Sequence, residues 1–286
     1  MSQPRTGFEH VNGIGLAFRH WSGAPGAQQP PVILLHGVLQ TGDGMRHLAE
    51  QLALDHEVLV PDLRGRGESE QPDGGYDPAT MADDVAALIE RLGIERPALI
   101  GRLHGGLVAY HLAARRPELV SGVILGDANP EVSEDRATQA LALVDALPHE
   151  FASHDDAARF YEVGLGLTTE RARHDIPSDL ETTPEGGYRW RHNLDIVRRI
   201  EAAAIPRSDW NVLAQVRCPV LILRGQRGEI GRETAQRMLA TMPRARAQTI
   251  YGASHDVFLG PGSEQALAAI QLFLFGLVGG QDRPRA

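Results

Sequence analysis

The chain has 286 residues, 42% of them hydrophobic, and a formal net charge of −9. That length fits one domain with an insertion, or two small domains, and the apolar content suffices for a sizeable core. The acidic balance and the lack of a basic run argue against nucleic acid as a partner, and no apolar run approaches the roughly 20 residues of a membrane span.

Along the chain, residues 7–20 alternate as a short hairpin around Asn12-Gly13. PPVILLHG (30–37) reads as a buried strand ending in glycine, and HEVLVPDLRGRGES (56–69) as a second strand entering a Gly-rich loop. MADDVAALIERLG (81–93) has the apolar spacing of an amphipathic helix stopped by Gly93. PALIG (97–101) is a third strand, GGLVAYHLAARRP (105–117) a helix closed by Pro117, and VSGVILGDANP (120–130) a fourth strand.

Residues 131–210 change character. They are more polar, helical in pattern and dotted with histidines and aromatics, as expected of an inserted helical cap. Strand–helix alternation returns with RCPVLILRG (217–225), a helix at 232–243, a strand at 245–252 and a final helix at 263–278. The core is therefore expected at 1–130 and 211–278, the cap at 131–210 and a disordered tail at 279–286.

Strands alternating with helices imply an α/β fold with a mostly parallel, doubly wound sheet. Ligands on such sheets bind at the carboxyl ends of the strands. The residues just after each apolar run are thus the ones to examine: His36, Asp62, Leu103, Asp127, Arg227 to Glu229, and His255.

Some chemistry is excluded at once. All 28 cationic residues are arginine, so no lysine can form a Schiff base. The single cysteine, Cys218, rules out an internal disulfide and suits a reducing cytoplasm. MSQPRTGFEHVNG lacks the basic start and apolar centre of a signal peptide, so a cytoplasmic location is expected. There is no H-x-H or H-E-x-x-H spacing, and no metal or other cofactor is expected.

Five segments in order, LLHG (34–37), VPDLRGRGES (60–69), GRLHGG (101–106), CPVLILRG (218–225) and GASHD (252–256), resemble the α/β-hydrolase family over about residues 30 to 275. The resemblance implies that fold and a nucleophile elbow of the form G-x-Ser-x-G. Here Gly101, Gly105 and Gly106 keep the frame, but Leu103 stands at the tip, and leucine has no lone pair with which to attack a carbonyl. The intact glycines imply that the turn is still used, because strain at such a tip tends to relax once its geometry is no longer needed.

The resemblance further implies that His255 is the histidine base. Its acid partner would be Asp127, after the fourth strand, or Glu229, one residue beyond the family's usual place, which Gly228 occupies. The backbone amides of Val38 and His104 would form an oxyanion hole. Leu103, His36, Arg102 and Trp190 are expected at the elbow or pocket, His36 more as a structural group, and Arg102 as a surface residue unless it turns inward. His104-Gly105-Gly106 is similar to the elbow of the cofactor-independent dioxygenases of N-heteroaromatic rings, which rely on a His/Asp dyad. That likeness implies non-covalent base chemistry on a small apolar substrate: elimination, cyclisation, lyase chemistry or cofactor-free oxygenation. Two other readings stay open: a hydrolase using activated water or carrying an engineered Ser-to-Leu change, and an inactive ligand-binding protein. The partner expected is a small molecule, and a homodimer stays open.

Overall fold

The structure is a computed structural model and describes residues 3–23, 29–165, 179–205 and 207–278. The expected tail at 279–286 lies outside the described residues. The main sheet has eight strands: β1 (Arg5–Val11), β2 (Ile14–Trp21), β3 (Val32–Leu35), β4 (Val58–Pro61), β5 (Ala98–Arg102), β6 (Gly122–Gly126), β7 (Val220–Gly225) and β8 (Ala245–Ile250). Their order across the sheet is β1-β2-β4-β3-β5-β6-β7-β8. The β1–β2 and β2–β4 pairs are antiparallel, and every pair from β4 to β8 is parallel.

The hairpin forms because Asn12 and Gly13 both take positive φ, 50° and 76°, which a two-residue turn of this hand requires. β3 is buried on both faces, so it reads as an unbroken apolar run rather than an alternation. Its Ile33 and Leu35 point to one layer and Val32 and Leu34 to the other. Helices α1 (Arg46–Leu52) and α9 (Ser263–Val278) cover the second layer. Helices α2 (Pro78–Leu92), α3 (His104–Arg115) and α8 (Arg232–Thr241) cover the first.

Two differences from the sequence reading have simple local causes. Helix α2 starts at Pro78 rather than at 81, because the Asp77 side chain accepts from the Thr80 amide and Pro78 suits a first turn. Helix α1 is only seven residues long, too short to show a period in the sequence.

Between β6 and β7 the chain forms helices α4 (Glu134–Asp145), α5 (His154–Leu165), α6 (Leu194–Ala204) and α7 (Trp210–Leu213). This segment is not purely helical. Leu180–Thr182, Tyr188–Trp190 and Glu150–Phe151 form a small antiparallel sheet, and Glu131–Val132 pairs with Arg207–Ser208. These strands are two or three residues long, below the length at which alternation stands out. The segment packs Phe151, Tyr161, Leu180 and Trp190 into a separate cluster that also takes in Leu259 from the loop after β8.

Candidate functional site

The carboxyl ends of β3, β5, β6, β7 and β8 lie along one edge of the sheet. The loops leaving them carry His36 to Val38, Leu103, Asp127, Glu229 and His255. Two cavities open over this edge. One, of about 380 Å³, is mainly apolar and is walled by Leu39, Leu147, Phe160 and Trp190, with Gln40, Arg102, Tyr161 and Asp179 among its polar groups. The other, of about 420 Å³, is charged and is walled by Asp127, Glu201, Glu229, Arg136 and Arg207 with His104. Val38, Leu103, Leu143 and His255 line both, so the elbow tip and the histidine stand where the cavities meet.

Leu103 has φ 47° and ψ −109°, a conformation that costs a branched L-residue about 1–3 kcal/mol. The turn is locked around it. The Leu103 amide donates to the Gly126 carbonyl at 2.8 Å, and a Cβ on Gly105 would sit 2.1 Å from the Leu35 carbonyl oxygen. The elbow thus retains the strained geometry that displays a side chain to a ligand, although the side chain has no reactive atom.

The loop after β3 is clamped on both sides of the Val38 amide. His36 Nε2 accepts from the Leu63 amide at 3.0 Å, which leaves the ring proton on Nδ1 to donate to the Gly37 carbonyl at 2.9 Å. On the other side, an Arg66 guanidinium N–H donates to the Val38 carbonyl. Burial pushes the His36 pKa down to about 3, so the ring is neutral. His36 therefore lies behind the site and lines neither cavity. The Val38 N–H and the His104 N–H, the latter in the first turn of α3, have no protein acceptor among the described residues. Both are available to a developing oxyanion.

The His104 side chain does not join a cluster with His36 and His255. It turns into the core, with Nε2 3.3 Å from Met81 Sδ, and burial lowers its pKa to about 3. Among the described residues no group of three His, Cys, Asp or Glu side chains is placed to hold a metal ion.

Asp127 also has positive φ, 51°, and is 1% exposed. Its carboxylate accepts from the amides of Glu229 at 2.5 Å, Gly225 at 3.2 Å and Ile230 at 3.4 Å. Desolvation outweighs these bonds and raises its pKa to about 6. A Cβ on Gly228 would lie 2.2 Å from Asp127 Oδ2. The carboxylate from β6 thus fills the space beside the backbone after β7 that a side chain at 228 would need. Glu229, the alternative acid, is half-exposed and pairs with Arg136 at 2.6 Å. Asp127 and His255 line the same cavity, but no hydrogen bond joins them. Desolvation lowers the His255 pKa, and the nearby Arg102 charge lowers it further. The ring is therefore held in the neutral form a base needs.

Arg102 differs from the expectation of a surface residue. As the last residue of β5 it is 3% exposed, pairs with buried Asp256 and lines the apolar cavity. Its Nε and Nη1 have no acceptor among the described residues. The pair ties the elbow strand to the residue after His255. Asp62 is a loop staple: it accepts from the Gly42 amide at 2.6 Å and the Glu68 amide at 3.1 Å. Of the cap aromatics, Phe160, Tyr161 and Trp190 line the apolar cavity, whereas Trp210 lies under Arg237, 3.8 Å from its guanidinium carbon.

Sequence reasoning missed Glu201. It lies on α6 among the buried Val197, Ile200 and Ala204, and it lines the charged cavity. A glutamate one turn after Val197 on the apolar stripe was the available signal.

The chain aligns with several hydrolases. It is 26% identical over 259 residues to the 3-hydroxybutyrate-oligomer hydrolase of Cupriavidus necator, covering 84% of this chain and 87% of that one. It is 40% identical over 100 residues to a soluble epoxide hydrolase of Corynebacterium, where the aligned part spans 35% of each chain. Among solved structures, that of E-2-(acetamidomethylene)succinate hydrolase superposes with a TM-score of 0.85 at 22% identity, covering 95% of this chain and 99% of that one. An α/β hydrolase of Novosphingobium aromaticivorans superposes with a TM-score of 0.82 at 26% identity, covering 96% and 99%. The profile of the alpha/beta hydrolase fold matches residues 30–260, and the chain belongs to that family.

Proposed function

We propose that the protein is a general-base enzyme that acts on a small, partly apolar organic substrate without forming a covalent intermediate. His255 takes the proton, Asp127 supplies the compensating negative charge, and the amides of Val38 and His104 hold the oxyanion that develops. The observation that carries this reading is the combination of a strained, glycine-locked elbow tipped by Leu103 with a neutral His255 facing the same cavity. Attack by residue 103 is chemically closed, while proton abstraction and oxyanion stabilisation remain open. Eliminations and related lyase chemistry, or attack by dioxygen on a substrate carbanion, need no more than these groups. Hydrolysis by a His255-activated water is the second reading, favoured by the hydrolase names among the relatives.

The base role is tested with 5-nitrobenzisoxazole, whose ring opens when its C–H proton is removed. Wild-type protein is expected to exceed His255→Ala by about 100-fold or more, the usual worth of a positioned base. Equal rates for the two proteins would remove His255 from the chemistry.

A further inference from the structure

Glu201 stands apart from the other carboxylates of the charged cavity. Asp127 is held by three backbone amides and Glu229 is paired with Arg136. Glu201 has neither a hydrogen bond nor an ion pair among the described residues, although it lines the same cavity as His255, Leu103 and Asp127. Its arginine neighbours bond backbone carbonyls rather than Glu201, although Arg66 Nε and Nη1 keep no hydrogen-bond partner among the described residues. Arg207 donates to the carbonyls of Asn129 and Ala204, and Arg66 to that of Val38. Glu201 is only partly buried on the apolar stripe of α6, so solvent in the cavity can reach its carboxylate. It is also well placed to meet a ligand that enters between cap and core.

We propose that Glu201 is the general acid opposite His255, and that the substrate is an amphiphilic carbonyl compound with a departing oxygen β to the carbonyl. This rests on the reading of His255 as base. The apolar part of the substrate lies against Trp190, Phe160 and Leu147, and the departing oxygen lies in the charged cavity beneath α6. His255 removes the proton α to the carbonyl, and that electron pair forms the new C=C bond. The β C–O bond breaks, and its electron pair takes the Glu201 proton, so the oxygen leaves as an alcohol or water. Val38 and His104 N–H groups hold the enolate-like oxygen meanwhile, and both side chains return to their starting forms by exchange with solvent.

The charges facing Glu201 bear on whether it carries a proton. Burial raises its pKa, and Glu229 from the loop after β7 adds to this, while Arg207 from the cap ribbon and Arg66 from the loop after β4 oppose it. Arg136 on α4 is neutralised by Glu229, and His255 and His104 are held neutral by burial. Desolvation thus favours the uncharged form of both partners, the form in which a carboxyl donates and an imidazole accepts.

Two measurements test the proposal. Infrared spectra at pH 6, wild type minus Glu201→Gln, are expected to show the C=O band of a protonated carboxyl. An ordinary glutamate is ionised at that pH, and a carboxylate band alone would overturn the proposal. The second uses benzisoxazole and its 5-nitro derivative as probes with poor and good departing oxygens. Glu201→Gln is expected to slow benzisoxazole by about 100-fold and the nitro compound by less than about threefold, because an acid matters most to a basic leaving group. Glu201→Asp is expected to recover part of the loss. Equal slowing of both probes would overturn the acid role and leave His255 as base. If His255→Ala matches wild type on both probes, the base reading fails and the acid role falls with it.

Discussion

At the residue scale, Leu103 and Asp127 are non-glycine residues at positive φ that line one cavity from adjacent strands. Strain of this kind persists where surrounding structure over-determines it, and it concentrates at functional sites. The Asp127 carboxylate and the glycine at 228 are one arrangement, since the carboxylate occupies the volume beside the glycine Cα. Gly228→Ala is expected to displace Asp127 and to cost about 1–3 kcal/mol, the usual cost of overpacking. It should also depress base activity. Gly231→Ala, where a Cβ meets open space, is the control and should change stability by less than about 0.5 kcal/mol. Urea unfolding of both variants checks this, and equal midpoints would mean that Asp127 is not held against the 228 backbone.

At the element scale, the site depends on loops held in register by buried groups. The Arg102–Asp256 pair joins the end of β5 to the loop that carries His255. Arg102→Met leaves the Asp256 carboxylate buried without its cation and is expected to cost about 3–5 kcal/mol, with part recovered in the double variant with Asp256→Asn. Additive losses in a double-mutant cycle would argue that the pair is not coupled. His192, between β6 and β7, is 4% exposed, both its ring nitrogens lack partners among the described residues, and burial, with Arg66 and His36 nearby, lowers its pKa to about 3. Its unfolded value is near 6.5, so below pH 6.5 the unfolded chain binds a proton that the folded chain refuses. Its contribution to stability is therefore present above pH 6.5 and is lost as pH falls toward 3. His192→Phe should gain on wild type by up to about 1.4 kcal/mol per pH unit below 6.5. Urea midpoints at pH 7.5, 6.5 and 5.5 read this directly, and parallel trends for the two proteins would contradict it.

At the scale of the whole molecule, one sheet edge brings His255, Asp127, Val38 and Leu103 together, and residues from the segment between β6 and β7 line an apolar and a charged cavity above them. The sheet was legible because β3 to β7 are apolar runs closed by glycine or a loop, and the hairpin because Asn12-Gly13 demands its turn. His255, Asp127, Val38 and Leu103 were legible because they follow those runs. The small cap strands were not, since pieces such as Tyr188–Trp190 take their pairing from partners distant in sequence. Arg102 was misread because nothing local announces the Asp256 carboxylate that buries it. Glu201 was passed over because one acid in a helix reads as solvated until the core is seen around it.

The central claim is that the elbow, oxyanion amides and base remain assembled around a residue that cannot attack. Intact-mass analysis after incubation with a fluorophosphonate tests it, using wild type, Leu103→Ser and Leu103→Ser with His255→Ala. The account predicts one adduct on Leu103→Ser, none on wild type and little on the double variant. No adduct on Leu103→Ser would show that the base and amides do not form a working site, and labelling of wild type at another residue would place the reactive centre elsewhere.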